Sequence, residues 1–250
     1  MTADHFTPVA GQYAAFRPSY PDELFDWLGD IAPGRELAWD CGAGNGQASL
    51  ALAARFQRVL ATDISSAQLA TAPMSNNVEY RLASAEASGL PDHCVDLVTV
   101  AQAMHWFDLD SFYAEVRRVS APGGIIAAWG YNRMQADHEE LQQVLDNFYE
   151  QTIGPYWPPE RLHVEQGYRN LPFPFSRIET PPFALHKEWS RDHLLGYLHS
   201  WSAVGSFKAK HGFDPVSTIS GEIDRHWGSG ELRQIKWPLF LHAGHIRSED

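Results

Sequence analysis

The chain has 250 residues, 44% of them apolar, enough to bury a substantial core in one enzyme-sized domain with insertions or a small cap. Lys and Arg number 19 against 31 Asp and Glu, and the net charge of −12 argues against a grip on a phosphate backbone and so against a nucleic-acid partner. Two cysteines, Cys41 and Cys94, exclude a zinc cluster, and neither a signal-like N-terminus nor an apolar run of roughly 18 residues is present, so a cytoplasmic protein with no metal and no membrane attachment is expected.

In chain order, the first 35 residues hold a helix predicted over 21–28, preceded by a polar, aromatic segment suited to a lid. From 36 to 129 short apolar runs alternate with helix-like segments, which is how a parallel sheet covered on both faces is written. Strands are predicted at 36–40, 58–63, 78–82, 95–101 and 124–129, with helices over 46–55, from Ser65 or Ser66 onward, and over 110–119. Beyond Tyr131 the rhythm changes. An amphipathic stretch at 138–150 leads into a Pro- and aromatic-rich segment at 155–182 in which proline excludes long helices. Ser190 is placed to cap a helix over 191–201, and KWPLFLH at 236–242 reads as a last strand, Pro238 marking a bend or an edge position. The expected organisation is a lid segment at 1–35, a cofactor-binding core at 36–130, an insertion capping the substrate pocket at 131–190, and completion of the sheet by 191–250.

The densest signal is WDCGAGNGQASLALA, in which an acidic residue at a strand end precedes Gly42, Gly44 and Gly46, and a helix follows. Glycine lets backbone approach a ligand that any Cβ would obstruct. The dinucleotide fingerprint Gly-x-Gly-x-x-Gly needs a glycine where this chain has Gln47, and a diphosphate needs bare helix amides. Asp40 adds a carboxylate to the same crevice, which favours a ligand carrying positive charge and hydroxyls, such as a cationic nucleoside. Asp63, seventeen residues after Gly46 and at the predicted end of the second strand, is placed to accept both hydroxyls of a ribose. Cys41 reads as a small packed side chain, with no base or cation beside it.

At these residues the chain resembles the class I S-adenosylmethionine-dependent methyltransferases. Further matches follow in order: Ser84-Ala85-Glu86 where that family often has Asp-Ala-Glu beside the adenine, VDLVTVAQAMHWFD at the fourth strand, and RRVSAPGG before the fifth. A narrower resemblance, carried by YAAFRPSYP, QAMHWFD, YLHSWSAV and KWPLFL, is to the small-molecule branch that includes the trans-aconitate methyltransferases. The resemblance implies a doubly wound, Rossmann-like α/β fold, with a mostly parallel sheet ending in an antiparallel strand, an N-terminal lid, and S-adenosyl-L-methionine as cofactor. It implies that Asp40 faces the amino acid part of the cofactor, that Gly42, Gly44 and Gly46 form its backbone cradle, and that Asp63 holds the ribose with Ile64 beside it. Ser84, Ala85 and Glu86 would line the adenine, Ala101 and Gln102 would follow the fourth strand, and Tyr13 and Arg17 would be lid contacts, Arg17 facing the methionine carboxylate. Ser84 departs from the family's Asp and is a weaker, neutral acceptor.

Methyl transfer from a sulfonium requires alignment and exclusion of water, and a base only when the acceptor must lose a proton. His105 is the candidate catalytic residue, either as a base or as a donor to an acceptor carboxylate. Trp106, Tyr156 and Trp157 are candidate walls of the substrate site. The function expected is methyl transfer to a small organic acceptor, with a carboxylate as one candidate. The rivals are a nucleotide-binding oxidoreductase, opposed by Gln47, and a non-catalytic module that keeps only the cofactor pocket. Neither the acceptor nor the oligomeric state is written in the sequence.

Overall fold

The computed structural model describes residues 18–228, 230 and 232–246, and Tyr13 and Arg17 lie outside them. Five parallel strands form its centre: β1 (Leu37–Cys41), β2 (Arg58–Asp63), β3 (Val78–Leu82), β4 (Val95–Ala101) and β5 (Ser120–Tyr131). They lie in the order β3-β2-β1-β4-β5, so the strand order reverses between β1 and β4. That reversal opens a crevice at the carboxyl ends of β1 and β4, where such sheets place their ligands. Side chains alternate between the two faces. Leu97, Ile125 and Ala127 join Leu24, Phe25, Leu28 and Leu52 from the helices Asp22–Ile31 and Gln47–Ala53. On the other face, Val98, Val100, Ile126 and Ala128 pack with Phe112 and Val116 of the helix Leu109–Val119. This is the strand period of two, read out as two cores sharing one sheet.

The last strand, β9 (Arg233–His245), runs antiparallel beside β5, from Tyr131↔Leu239 to Ile125↔His245. The fold is thus Rossmann-like α/β with a mostly parallel sheet closed by an antiparallel strand. β9 has strand neighbours on both sides over only part of its length, and at Pro238 a strand pairs on one side alone, in keeping with an edge position. Its first half pairs with β8 (Ala184–Trp189) and β6 (Gln135–Ala136), and its second half with β5 and β7 (Ser176–Ile178). Pro238 sits opposite Ala184, at the step where the pairing changes hands from β8 to β5, so its missing N–H falls at a junction.

The first half of β9 belongs to a second unit over the sheet. Its own apolar cluster gathers Leu141, Leu145, Leu194, Leu198, Val204 and Ile223 from four helices, Glu139–Asn147, Arg191–His199, Ser202–His211 and Ser220–Trp227, around Trp237. Ser190 caps the second of these through a bond from the His193 amide (3.3 Å). The Pro-rich segment contributes one short helix, Arg161–Glu165. This cluster draws on residues from 131 to 237, on both sides of the bound expected at 190.

At the opposite end of the sheet, Asp96 on β4 accepts the amides of Glu36 (2.8 Å) and Leu37 (3.2 Å) and so ties the start of β1 to β4. Asp96→Ala removes the acceptor of both amides, that of buried Leu37 included, and is expected to lower stability by about 1–3 kcal/mol in urea unfolding, with affinity for S-adenosylhomocysteine unchanged.

Candidate active site

The loop after β1 is shaped by three glycines in the left-handed region, and each serves a different neighbour. A Cβ on Gly42 (φ +69°) would lie 2.6 Å from Ala103 Cβ and 3.1 Å from the Phe107 ring, and one on Gly46 (φ +79°) would lie 2.5 Å from the Tyr80 hydroxyl. These two let the loop pass close to the protein. Gly44 (φ +56°) differs: a Cβ there would have no neighbour nearer than Gln68 Oε1 at 4.0 Å. Its bare face is turned to the open crevice, a cradle that a side chain would fill. The Cβ direction is thus open at Gly44 and closed by protein at Gly42 and Gly46.

Asp63, half-buried at the end of β2, fixes this loop. One carboxylate oxygen accepts the Gly44 amide (2.8 Å) and the other the Ser65 amide (2.8 Å). Beneath them Asp40 is fully buried, its oxygens taking hydrogen bonds from Ser49 Oγ (2.6 Å) on the following helix and Thr99 Oγ1 (3.0 Å) on β4. The expected direct face of Asp40 to the ligand is not what the geometry gives. Its side chain clamps strand, helix and β4 together, and its charge reaches the crevice as a field. Burial raises the Asp40 pKa to about 6, against the lowering effect of the two hydroxyls, and Asp63 adds to the rise. Asp40, Glu86 and Asp63 all act on Cys41, whose burial pushes its thiol well up, so Cys41 is a packed side chain as expected. Three carboxylates around one glycine loop make a field that favours a cation and opposes a diphosphate.

On the rim, Ile64 and Leu82 are left exposed, at 60% and 61%, side by side at the ends of β2 and β3 in the register Asp63↔Leu82. Leu82 was not singled out from sequence; its signal is an apolar residue left uncovered at a strand end. Ser84 forms a tight turn to Ala87, which buries Ala85 at its apex, and Glu86 Oε1 accepts the Asp108 amide (3.2 Å) at the head of the helix Leu109–Val119. Ala101 ends β4 opposite Trp129. Gln102 adopts φ +58°, and its side-chain amide donates to the Tyr131 carbonyl (3.2 Å), so it lies over the end of β5.

His105 lies in the turn Met104–Trp106 after β4, its ring 4.8 Å from that of Trp106, and its Nδ1 is 2.9 Å from the Tyr168 hydroxyl. Burial lowers the His105 pKa to about 3, and the nearby charges of Arg161 and His163 push the same way, so the ring is neutral at any physiological pH. Arg161 donates from Nε to the Tyr149 hydroxyl (3.0 Å), which itself donates to Glu165 Oε1 (2.6 Å), and its guanidinium lies 5.0 Å over the Trp157 ring. The Trp157 indole N–H and His163 Nδ1 are buried without a hydrogen-bond partner. Two of the expected wall residues thus belong to one neighbourhood with His105 through Arg161, whereas Tyr156 bonds His211 (2.5 Å) on the helix Ser202–His211 and packs on Phe207. Arg161, Tyr168 and His163 were missed in sequence, because they sit in a proline-rich stretch without periodicity.

The family described as a methyltransferase domain matches residues 39–128. A Dictyostelium discoideum protein named as a methyltransferase is 34% identical over 245 residues, covering 95% of this chain and 93% of its own length. A Schizosaccharomyces pombe protein named as an uncharacterized methyltransferase is 33% identical over 82% of this chain and 81% of its own. The solved structure of a protein described as a type II methyltransferase, from Anaeromyxobacter dehalogenans, is 47% identical with a TM-score of 0.89, covering 94% of this chain and all of the other. The chain belongs to the class I methyltransferases, enzymes that use S-adenosylmethionine as methyl donor. Residues of the crevice fit that cofactor: the bare face at Gly44 admits backbone contact, and the acidic surround suits an ammonium and a sulfonium.

Two outcomes follow from the loop and its buried acid. Gly44→Ala should keep the melting temperature within a few degrees while weakening S-adenosylhomocysteine binding more than tenfold by calorimetry, whereas Gly46→Ala, driven into Tyr80, should lower stability first. For Asp40 the folded pKa lies above the unfolded one. Its contribution to stability is full below pH 3.8 and is lost as pH rises through about 6, leaving the folded state roughly 2–3 kcal/mol worse off at pH 8. Asp40→Asn should therefore melt higher than the parent at pH 8, with the advantage vanishing by pH 4.

Proposed function

We propose that this enzyme methylates a small organic acceptor bearing a carboxylate. The observation that carries this reading is the guanidinium of Arg161, which uses Nε on Tyr149 and stands among Trp157, Tyr168 and His105 on the acceptor side of the crevice. A guanidinium fork and the partnerless indole N–H of Trp157 form a donor set for a planar anion.

When bound, the cofactor would supply an electrophilic methyl, to which an acceptor oxygen bonds in line as the carbon–sulfur bond breaks and a neutral thioether leaves. The chain's own residues do the positioning. Gly44 and Asp63 set the depth at which the nucleoside lies, Ile64 and Leu82 cover its base, and Ala85 and Gln102 bound the crevice on either side. Ser84 and Glu86 stand at the adenine edge. Trp106 and Trp157 exclude water, and Arg161 orients the acceptor. A carboxylate is already ionised at neutral pH and attacks without a base, which agrees with a neutral, half-buried His105.

Incubation with methyl-labelled S-adenosylmethionine and a panel of small mono-, di- and tricarboxylic acids should yield base-labile, labelled methyl esters. Arg161→Met should raise the acceptor KM at least tenfold without changing affinity for S-adenosylhomocysteine. Label transferred only to amines or phenols, or an Arg161→Met enzyme with unaltered KM, would contradict the reading.

A further inference from the structure

His105 and Tyr168 are 63 residues apart in sequence, yet they make one hydrogen bond at the mouth of the crevice. Tyr168 is fully buried and adopts φ +57°, directly after Gly167 at φ +58°. Two successive left-handed residues, the second a bulky aromatic, are an uncommon backbone that only surrounding packing sustains. Here the Tyr168 ring is held edge-on by Phe240 at 4.9 Å, and the turn is closed by the bond from its own amide to the His163 carbonyl (2.8 Å). A phenol has one proton to give, and in this buried position the hydrogen-bond partner of the hydroxyl among the described residues is Nδ1 of His105, which therefore accepts that proton. An imidazole that accepts at Nδ1 carries its own proton on Nε2.

We propose that Tyr168 is a positioning residue that holds His105 as the neutral Nε2–H tautomer, so that the ring offers the acceptor a hydrogen-bond donor and not a base. That His105 meets the acceptor rests on the function proposed above; that its tautomer is set by Tyr168 does not. The groups facing the ring agree with this assignment. Arg161 and His163 bring positive charge that opposes a second ring proton, and Tyr168 itself stays protonated because burial raises its pKa. The consequence is a restriction on chemistry: an acceptor whose nucleophile is already ionised is served, and one that must be deprotonated finds no base at this position.

The test is long-range proton–nitrogen correlation spectroscopy of the full chain labelled with nitrogen-15 histidine, the His105 signals being assigned with a His105→Gln variant. In the parent enzyme the ring should show one protonated nitrogen, Nε2, and one hydrogen-bonded acceptor, Nδ1, unchanged from pH 5.5 to 9. Tyr168→Phe should lose the hydrogen-bonded signature at Nδ1 and shift the ring toward a mixture of tautomers. A parent ring protonated on Nδ1, or one that titrates between pH 6 and 8, would overturn the proposal, and the parent spectrum decides this even where Tyr168→Phe folds poorly. In a folded Tyr168→Phe protein an unchanged Nδ1 signature would overturn it as well. None of these readouts requires an acceptor, so failure of the carboxylic acid panel with the expected spectrum would remove the acceptor assignment and leave the tautomer standing.

Discussion

Asp63 accepts the amide of Gly44 through one carboxylate oxygen and that of Ser65 through the other, and this pair of hydrogen bonds decides how the chain leaves two neighbouring strands at once. With β1 and β2 paired in parallel register from Leu37↔Arg58 to Cys41↔Thr62, the glycine loop and the turn after β2 would otherwise drift independently. Their fixed separation gives the crevice its width. The bare face of Gly44 is useful only because Asp63 holds it outward, and the rim formed by Ile64 and Leu82 lies where it does because both flank the same carboxylate's strand pair.

The electrostatics of the site run against the stability of the empty fold. A carboxylate at Asp40 buried beneath the loop, with Asp63 and Glu86 near, is a strained charge arrangement that two hydroxyls only partly relieve. Such a cluster is understandable in a site made for a cation, where the ligand's charge supplies what the protein withholds. The acceptor side has the opposite character. Arg161 and the indole of Trp157 are donors, and His105 is kept uncharged among them. Under the proposed function, the crevice divides into an acidic half for the cationic methyl donor and a donor-rich half for the acceptor.

Much of the central sheet was legible in the sequence. β2 and β4 were bounded by their apolar runs and β1 came out shifted by a single residue, because a strand buried on both faces carries its own outline, whereas β3, also found at its expected bounds, is a partly exposed edge strand. Ser190 announced its helix by capping chemistry, although that helix ends at His199, before Trp201. The cap was less readable. Its helix Ser202–His211 scatters polar and apolar residues without a clear stripe, since it packs on several neighbours at once, and the 13-residue β9 is interrupted by a proline that sequence assigns to an edge. At the site, residue identity gave Asp40, Asp63 and the glycines, but not that Asp40 is covered while Gly44 is bare, because depth depends on Ser49, Thr99 and the chain around them. Tyr168 carried no signal at all: its role exists only through contact with a turn 63 residues away.

The central claim is that the crevice between β1 and β4 binds an adenosyl sulfonium and is organised by Asp63. Calorimetric titration of the parent chain and of Asp63→Ala with S-adenosylhomocysteine tests it most directly. One site per chain in the parent, weakened more than tenfold in a variant that still unfolds in a single cooperative transition, is the expected result. A correctly folded parent that takes up no S-adenosylhomocysteine, or a folded variant that binds it as tightly as the parent, would contradict the account.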